Sequence, residues 1–123
     1  MHLKDLKNIE KIIKALADEN RIRILCLLKS RQILCVCEIQ EIIGLSQPTI
    51  SSHLKILENA GLIESEKVGL WVNYRIKKEL EPFEKDLMEL IAANLINDSQ
   101  VKKDLGMVKK IDRILICCKK KKE

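Results

Sequence analysis

The chain has 123 residues, of which 46% are hydrophobic and only 2% aromatic, and it carries a net charge of +5. This length allows one domain with a single aliphatic core and excludes a separate catalytic domain. The apolar runs are short and broken by charges, which excludes a membrane span, and the first residues lack the apolar region of a signal peptide. We therefore expect a cytoplasmic protein whose five cysteines are reduced thiols, available as ligands or sensors.

The positive charge is concentrated at the C-terminus. Residues 119–123, four lysines and a glutamate, supply +3 of the total. A lysine run at a terminus is usually a solvated tail. The rest of the chain is only mildly basic, so charge alone does not predict DNA binding.

The first residues show helical periodicity. Apolar residues predict a first amphipathic helix: Leu6, Ile9, Ile13 and Leu16. Asp18 is a suitable N-cap for a second helix. The buried stripe of that helix is Ile22, Leu25, Cys26 and Leu28. Cys26 is then most simply a thiol of the core.

A helix-turn-helix follows. Residues 37–43 predict a short helix that ends at Gly44, which can take the left-handed conformation of a tight turn. Ser46 caps the next helix, Pro48 lies in its first turn, and Gly61 ends it. Two helices joined by a short glycine turn form the skeleton of a DNA-reading motif.

The second helix of this motif has an apolar and a polar side. Ile50, Leu54 and Leu57 anchor it to the core, and the other side carries short polar residues suited to base edges and phosphates. A merely solvated face would more often carry Glu and Lys pairs. His53 lies nearer the apolar side, so a half-buried, hydrogen-bonded histidine and a DNA contact remain equally open. The predicted DNA contacts, with one from the hairpin described next, are Gln47, Thr49, Ser51, Ser52, His53, Lys55 and Lys67.

Residues 62–67 and 71–76 alternate in the manner of strands around Val68, Gly69 and Leu70, which predicts a β-hairpin. A hairpin placed directly after a reading helix is a wing. Lys67, near its tip, is positioned to meet the phosphate backbone.

Beyond Pro82 the pattern becomes helical again. Its apolar stripe is Phe83, Leu87, Leu90, Ile91 and Leu95, with Asn94 on the same side. A small wing domain has little core left to cover this stripe, so we expect it to pair with a second copy, together with the first helix. A final stripe consists of Val101, Leu105, Val108, Ile111 and Leu115, with Cys118 on the same side.

The expected fold class is mainly α with a small β-hairpin: a winged helix-turn-helix that forms a homodimer through its N- and C-terminal helices and meets two half-sites one DNA turn apart. We divide the chain into a DNA-binding and dimerisation domain over residues 1–97 and a helical extension over residues 98–123, which holds the vicinal cysteine pair and the lysine tail.

Cys35 and Cys37 lie at the start of the first helix of the motif. Residues two apart in a regular helix point about 200° away from each other, so both thiols can hold one ion only if Cys35 precedes the helix and Cys37 lies in its first turn. A helix N-terminus favours thiolate, and thiolates select soft ions such as As(III), Sb(III), Cd(II) or Cu(I). Two sulfurs are too few for a trigonal As(III) site, and Gln40 is a poor partner for a soft ion. The remaining candidates are Cys117 and Cys118, Cys26, or an external thiol.

Three motifs together resemble the ArsR/SmtB family of winged helix-turn-helix metalloregulators, and most closely its arsenical-resistance repressors. They are L-C-V-C-E-I, L-S-Q-P-T-I-S-S-H-L-K-I-L-E-N-A-G-L-I and G-L-W-V-N-Y-R-I, within residues 6–77. The resemblance implies a homodimeric repressor that releases its operator when an inducer binds.

The arsenic-responsive members carry E-L-C-V-C-D-L-C at this helix. Its first two cysteines correspond to Cys35 and Cys37 and its acidic position to Glu38, whereas the third cysteine is replaced by Gln40. Other members place As(III) cysteines near the C-terminus, which implies Cys117 or Cys118, from either subunit. A family site for Zn(II), Ni(II) or Co(II) on the dimer helix uses histidine, and residues 79–98 contain none.

We therefore expect a repressor that responds to As(III) or Sb(III) through metal ligands drawn from Cys35, Cys37, Cys117 and Cys118. Alternatives remain within the same fold: a redox or polysulfide sensor that uses Cys26, or a sensor of Cd(II), Pb(II) or Cu(I). A thiol enzyme is disfavoured because the chain has no C-x-x-C, no C-x5-R loop and no glycine-rich turn after a strand. A structural module without DNA affinity is the remaining possibility.

Overall fold

The computed structural model describes residues 4–111. Within that range the chain forms six helices and three strands, and none of these helices is long and apolar enough to cross a membrane. The elements are α1 (Leu6–Leu16), α2 (Glu19–Ser30), β1 (Leu34–Cys35), α3 (Val36–Ile43), α4 (Gln47–Asn59), β2 (Ile63–Val68), β3 (Trp71–Ile76), α5 (Pro82–Asn94) and α6 (Ser99–Val108).

The caps predicted for α2, α3 and α4 are confirmed. Asp18 accepts hydrogen bonds from the backbone N–H groups of Asn20 and Arg21 at 2.8 and 3.1 Å. Gly44 ends α3 with φ of 84°, a conformation that favours glycine. Ser46 caps α4. The helix-turn-helix therefore follows from local capping chemistry.

The wing is a two-stranded hairpin of β2 and β3, and the short strand β1 pairs with β3 to complete the sheet. Val68 pairs with Trp71, so Gly69 and Leu70 form a two-residue turn, and φ of Gly69 is 62°. The strand order is β1-β3-β2, with both pairings antiparallel. The predicted hairpin is confirmed with a shift of one residue in β2, whereas β1 is too short to give a sequence pattern.

Helix α2 lies at the centre of the core. Its second half is buried on nearly every side, and α4 packs against it with three residues that are fully buried, as predicted: Ile50, Leu54 and Leu57. Mainly helical architecture with a small sheet confirms the expected winged helix-turn-helix.

Helix α6 packs against α2 through a buried ion pair. The Arg23 guanidinium donates two hydrogen bonds to Asp104, from Nε at 2.8 Å and from Nη2 at 2.9 Å, and Asp104 is only 2% exposed. Val101 and Val108 of the predicted stripe are buried beside it. The helix ends at Val108, so Ile111 is not helical, and Leu115 and Cys118 lie outside the described residues. The division of the chain at residue 97 stays a prediction.

Candidate functional site

The two thiols of the C-x-C motif lie on either side of the start of α3. Cys35 is the N-cap, with an extended backbone (φ −91°, ψ 167°), and Cys37 lies in the first turn. This is the arrangement that the sequence requires if both sulfurs are to approach one ion. Cys35 is 2% exposed, whereas Cys37 is half-buried.

Glu38 closes the first turn of α3 onto Cys35. Its Oε1 accepts a hydrogen bond of 2.9 Å from the backbone N–H of Cys35, and the Cys35 side chain takes the place of the usual serine or threonine in a capping box. The carboxylate is fully buried, and its Oε2 lies 3.7 Å from Nη2 of Arg31. This role of Glu38 was not predicted from the sequence, although an acidic residue three positions after a cap is the signal that predicts it.

Cys35 also belongs to the sheet. It is the register partner of Asn73 in β3, and the neighbouring Leu34 pairs with Tyr74. Strand β3 is one of the two strands of the wing. The backbone at Cys35 therefore connects the first helix of the DNA-reading motif to its wing.

The predicted third ligands, Cys117 and Cys118, lie outside the described residues. Within residues 4–111 no group of three His, Cys, Asp or Glu side chains is placed to hold a metal ion, and Cys117 and Cys118 follow that range. The end of α6 nevertheless lies near the start of α3. Arg31, whose Nη2 faces Glu38, donates a hydrogen bond of 3.0 Å from Nη1 to the carbonyl of Val108.

Cys26 occupies a different place. It is buried on α2 and lines a cavity of about 330 Å³ between α2, β3 and α5. Burial raises the pKa of the Cys26 thiol, and the negative charges of Asp104 and Asp98 raise it further. A protonated, buried thiol is a slow nucleophile.

The outer face of α4 carries the predicted DNA contacts. Ser51 and His53 are half-buried, and the Thr49 hydroxyl lies 2.9 Å from that of Ser46. The exposed members are Gln47, Thr49, Ser52 and Lys55.

His53 contacts α2 through Arg21. Its Nδ1 lies 3.2 Å from Nη1 of Arg21, and the same guanidinium donates from Nε to the carbonyl of Ala15 at 2.7 Å. Because a guanidinium only donates, Nδ1 accepts and Nε2 carries the proton of the neutral ring. His53 is thus hydrogen-bonded and half-buried, and its second nitrogen keeps a donor.

The wing is attached to α4 at its base. Ser65 in β2 donates a hydrogen bond of 2.7 Å to Glu58 near the end of α4. On the wing itself, Arg75 pairs with Glu64 at 2.8 Å and lies 3.4 Å from Glu66. Lys67 is exposed.

Residues 18–65, which include both thiols of the C-x-C motif and α4, match the family model described as bacterial regulatory protein, arsR family. The arsenic resistance transcriptional regulator ArsR2 of Pseudomonas putida KT2440 is 35% identical over 112 residues, which cover 87% of this chain and 95% of that protein. ArsR1 of the same strain is 38% identical over 79 residues, covering 64% of this chain and 62% of ArsR1, less than two thirds of its length. The cadmium resistance regulatory protein CadC homolog of Staphylococcus aureus is 38% identical over 72 residues, 58% of this chain and 60% of that protein.

Solved structures share the fold. Reduced HlyU from Vibrio cholerae N16961 superposes with a TM-score of 0.65 at 30% identity, covering 74% of this chain and 92% of HlyU. The homodimeric winged helix-turn-helix DNA-binding domain of Mb0332 from Mycobacterium bovis gives a TM-score of 0.61 at 30% identity, covering 74% and 78% of the two chains. With the near full-length similarity to ArsR2, these matches establish that the chain belongs to the ArsR family of bacterial regulatory proteins.

Proposed function

We propose that the protein is a transcriptional repressor that binds operator DNA as a homodimer and dissociates when As(III) or Sb(III) binds its cysteine thiolates. The observation that carries this proposal is the position of Cys35 and Cys37 at the first turn of α3, the helix that immediately precedes the reading helix α4.

DNA binding is supported by the chemistry of α4 and by the attached wing. The exposed side of α4 presents hydroxyl, amide and ammonium groups from Gln47, Ser52 and Lys55, which suit base edges and phosphates. The Ser65–Glu58 hydrogen bond holds the wing beside it. Helix and wing therefore form one contact surface.

Dimerisation is supported by apolar residues that remain exposed within the described range, residues 4–111. Leu6 and Ile13 of α1 are 85% and 53% exposed, and Leu90 of α5 is 63% exposed. Pairing these two helices with those of a second copy removes this surface from water, and twofold symmetry then presents two copies of α4 to the DNA. The related Mb0332 domain is described as a homodimer.

The inducer is proposed from the donor set. Cys35 and Cys37 supply two soft sulfur ligands, and the family member ArsR2 is named for arsenic resistance. Trivalent arsenic and antimony prefer sulfur, and a trigonal site takes a third thiolate, which we assign to Cys117 or Cys118. Cys117 is nine positions after Val108, and an extended chain of nine residues would span up to about 30 Å. Since the end of α6 at Val108 is held by Arg31 near α3, the same subunit has sufficient chain length to supply it.

The burial of Cys35 suggests how binding reaches the DNA. At 2% exposure this thiol is closed to an ion in solution, so capture requires the first turn of α3 to open. Opening breaks the hydrogen bond to Glu38 and loosens the pairing of Cys35 with Asn73. Both α3, which positions α4, and β3, which belongs to the wing, then change position. A coupling of about 1–3 kcal/mol would lower operator affinity about 5–150-fold.

Two other classes of inducer are compatible with this fold. Cd(II), Pb(II) or Cu(I) would bind the same thiols, and a relative is named for cadmium resistance. Redox or polysulfide sensing would act at Cys26, which lines a cavity of about 330 Å³. The raised pKa of Cys26 disfavours it as the first thiol to react.

Single cysteine variants separate these possibilities. We expect Cys35→Ser and Cys37→Ser to bind operator normally and to lose release by arsenite, whereas Cys26→Ser keeps it. If Cys26→Ser alone abolishes the response and both other variants retain it, the redox function replaces the proposed one. A stronger response to Cd(II) than to arsenite in the wild-type protein would reassign the ion.

A further inference from the structure

The tip of the wing is apolar. Val68, Leu70 and Val72 are 51%, 81% and 37% exposed; Leu70 lies in the two-residue turn of the hairpin, and the two valines lie in the strands on either side. Lys67 is the single cation among residues 66–72. A tip that gripped only phosphates would carry several cations, because phosphates are bound by charge. This composition favours a partner surface that is itself partly apolar.

The strands of the wing are attached to α4, and two of their acidic residues lie beside an arginine. The Ser65–Glu58 hydrogen bond at its base attaches β2 to α4, so the wing begins beside the reading helix. Arg75 in β3 pairs with Glu64 and lies close to Glu66, both in β2. Its positive charge reduces the repulsion between these strands and a polyanion.

The length of the wing matches the spacing of DNA grooves. Strands of six residues, such as β2 and β3, extend about 20 Å. Half a turn of B-DNA, which separates the major groove from the next minor groove, is about 17 Å. With α4 in the major groove, a wing of this length is long enough to reach across one phosphate backbone to the adjacent minor groove.

We propose that Leu70 enters this minor groove as an apolar wedge, contacts the deoxyribose walls and partly unstacks a base step, so that the bound operator is bent. Aliphatic side chains act in this way in proteins that kink DNA from the minor groove. The proposal rests on the DNA-binding function proposed above and adds the contact chemistry at the wing tip and the shape of the bound DNA.

The test uses the full chain and a duplex that the wild-type protein selects from a random-sequence pool. The bend is measured by energy transfer between dyes at the two duplex ends, and affinity is measured across a salt series. We expect wild-type protein to bend the duplex, and Leu70→Ala to bind about tenfold more weakly with a smaller bend and an unchanged salt dependence. Leu70→Met, which keeps an apolar side chain of similar volume, should restore the bend.

Two control variants define the comparison. Lys67→Gln should lower the slope of log affinity against log salt by about one without removing the bend. Ile96→Ala removes an aliphatic side chain of similar exposure, 66%, from a position outside α4 and the wing, and should change neither quantity.

The outcomes separate this inference from the function on which it rests. Salt-sensitive DNA binding with a bend that Leu70→Ala leaves intact overturns the wedge alone. Loss of the dimer in Leu70→Ala, seen by sedimentation without DNA, would show that the tip contacts a second copy and would also overturn it. A wild-type protein that selects no duplex overturns both.

Discussion

The backbone N–H of Cys35 donates a hydrogen bond of 2.9 Å to the fully buried carboxylate of Glu38. Cys35 thus supplies both a proposed thiol ligand and the N-cap of α3. An ion that draws the Cys35 sulfur toward other thiols acts directly on the hydrogen bonds that begin this helix. A single short helix, α3, then connects the proposed inducer site to the reading helix α4.

Glu38→Ala should destabilise the fold by about 2 kcal/mol, because it removes the cap and leaves Arg31 without its buried partner. Denaturant unfolding measures this change. Glu41→Ala, an exposed carboxylate of the same helix, is the matched control and should have a much smaller effect. Equal destabilisation by the two variants would contradict the role assigned to Glu38.

Asp104→Ala should cost about 3–5 kcal/mol, because it strands the charge of Arg23 in the contact between α6 and α2. The pair Arg75–Glu64 has the same 2.8 Å separation and is more exposed. Glu64→Ala is therefore the control, and should leave the unfolding midpoint almost unchanged. A small loss for Asp104→Ala would mean that α6 contributes little to the folded domain.

Acid should remove the stabilisation supplied by Asp18. Burial raises the pKa of this carboxyl, but the hydrogen bonds from the backbone N–H groups of Arg21 and Asn20 and the nearby Arg21 guanidinium outweigh it, so the pKa lies below its ordinary value of 3.8 in the folded protein. A lowered folded-state pKa means that the contribution is present above pH 3.8 and is lost as pH falls through the folded value. Asp18→Asn keeps an N-cap oxygen but does not titrate. The stability difference between the two proteins should shrink on acidification, and a constant difference would contradict this prediction.

Leu90→Lys should convert the proposed dimer into a monomer and weaken operator binding, because it places a charge on the exposed apolar side of α5. Sedimentation velocity gives the oligomeric state. Lys85→Glu, an exposed position of α5 that lines the cavity beside Cys26, is the control for a charge change on the same helix. A dimer that survives Leu90→Lys would place the interface elsewhere.

The features that the sequence predicts correctly depend on local chemistry. Asp18 and Ser46 begin helices because their side chains bond to the next turn, and Gly44 ends one because of its positive φ. The placement of Cys35 before α3 and Cys37 within it follows from the same local rules.

The features that the sequence could not predict depend on distant partners. Arg23 and Asp104 are 81 positions apart, and Asp104 lies buried on a helix face expected to be apolar. Strand β1 has two residues, too few for an alternating pattern, yet it joins Cys35 to the wing. Leu70 was predicted only as part of the hairpin turn, and its proposed role depends on the attachment of the wing to α4. The third thiol ligand stays a prediction.

The operator dissociation constant of the wild-type dimer, measured by fluorescence anisotropy with and without saturating arsenite, tests the central claim most directly. We predict a constant about 5–150-fold larger with arsenite, and no change in the Cys35→Ser/Cys37→Ser double variant. Arsenite bound to the thiols of the wild-type protein with an unchanged operator affinity would contradict the account.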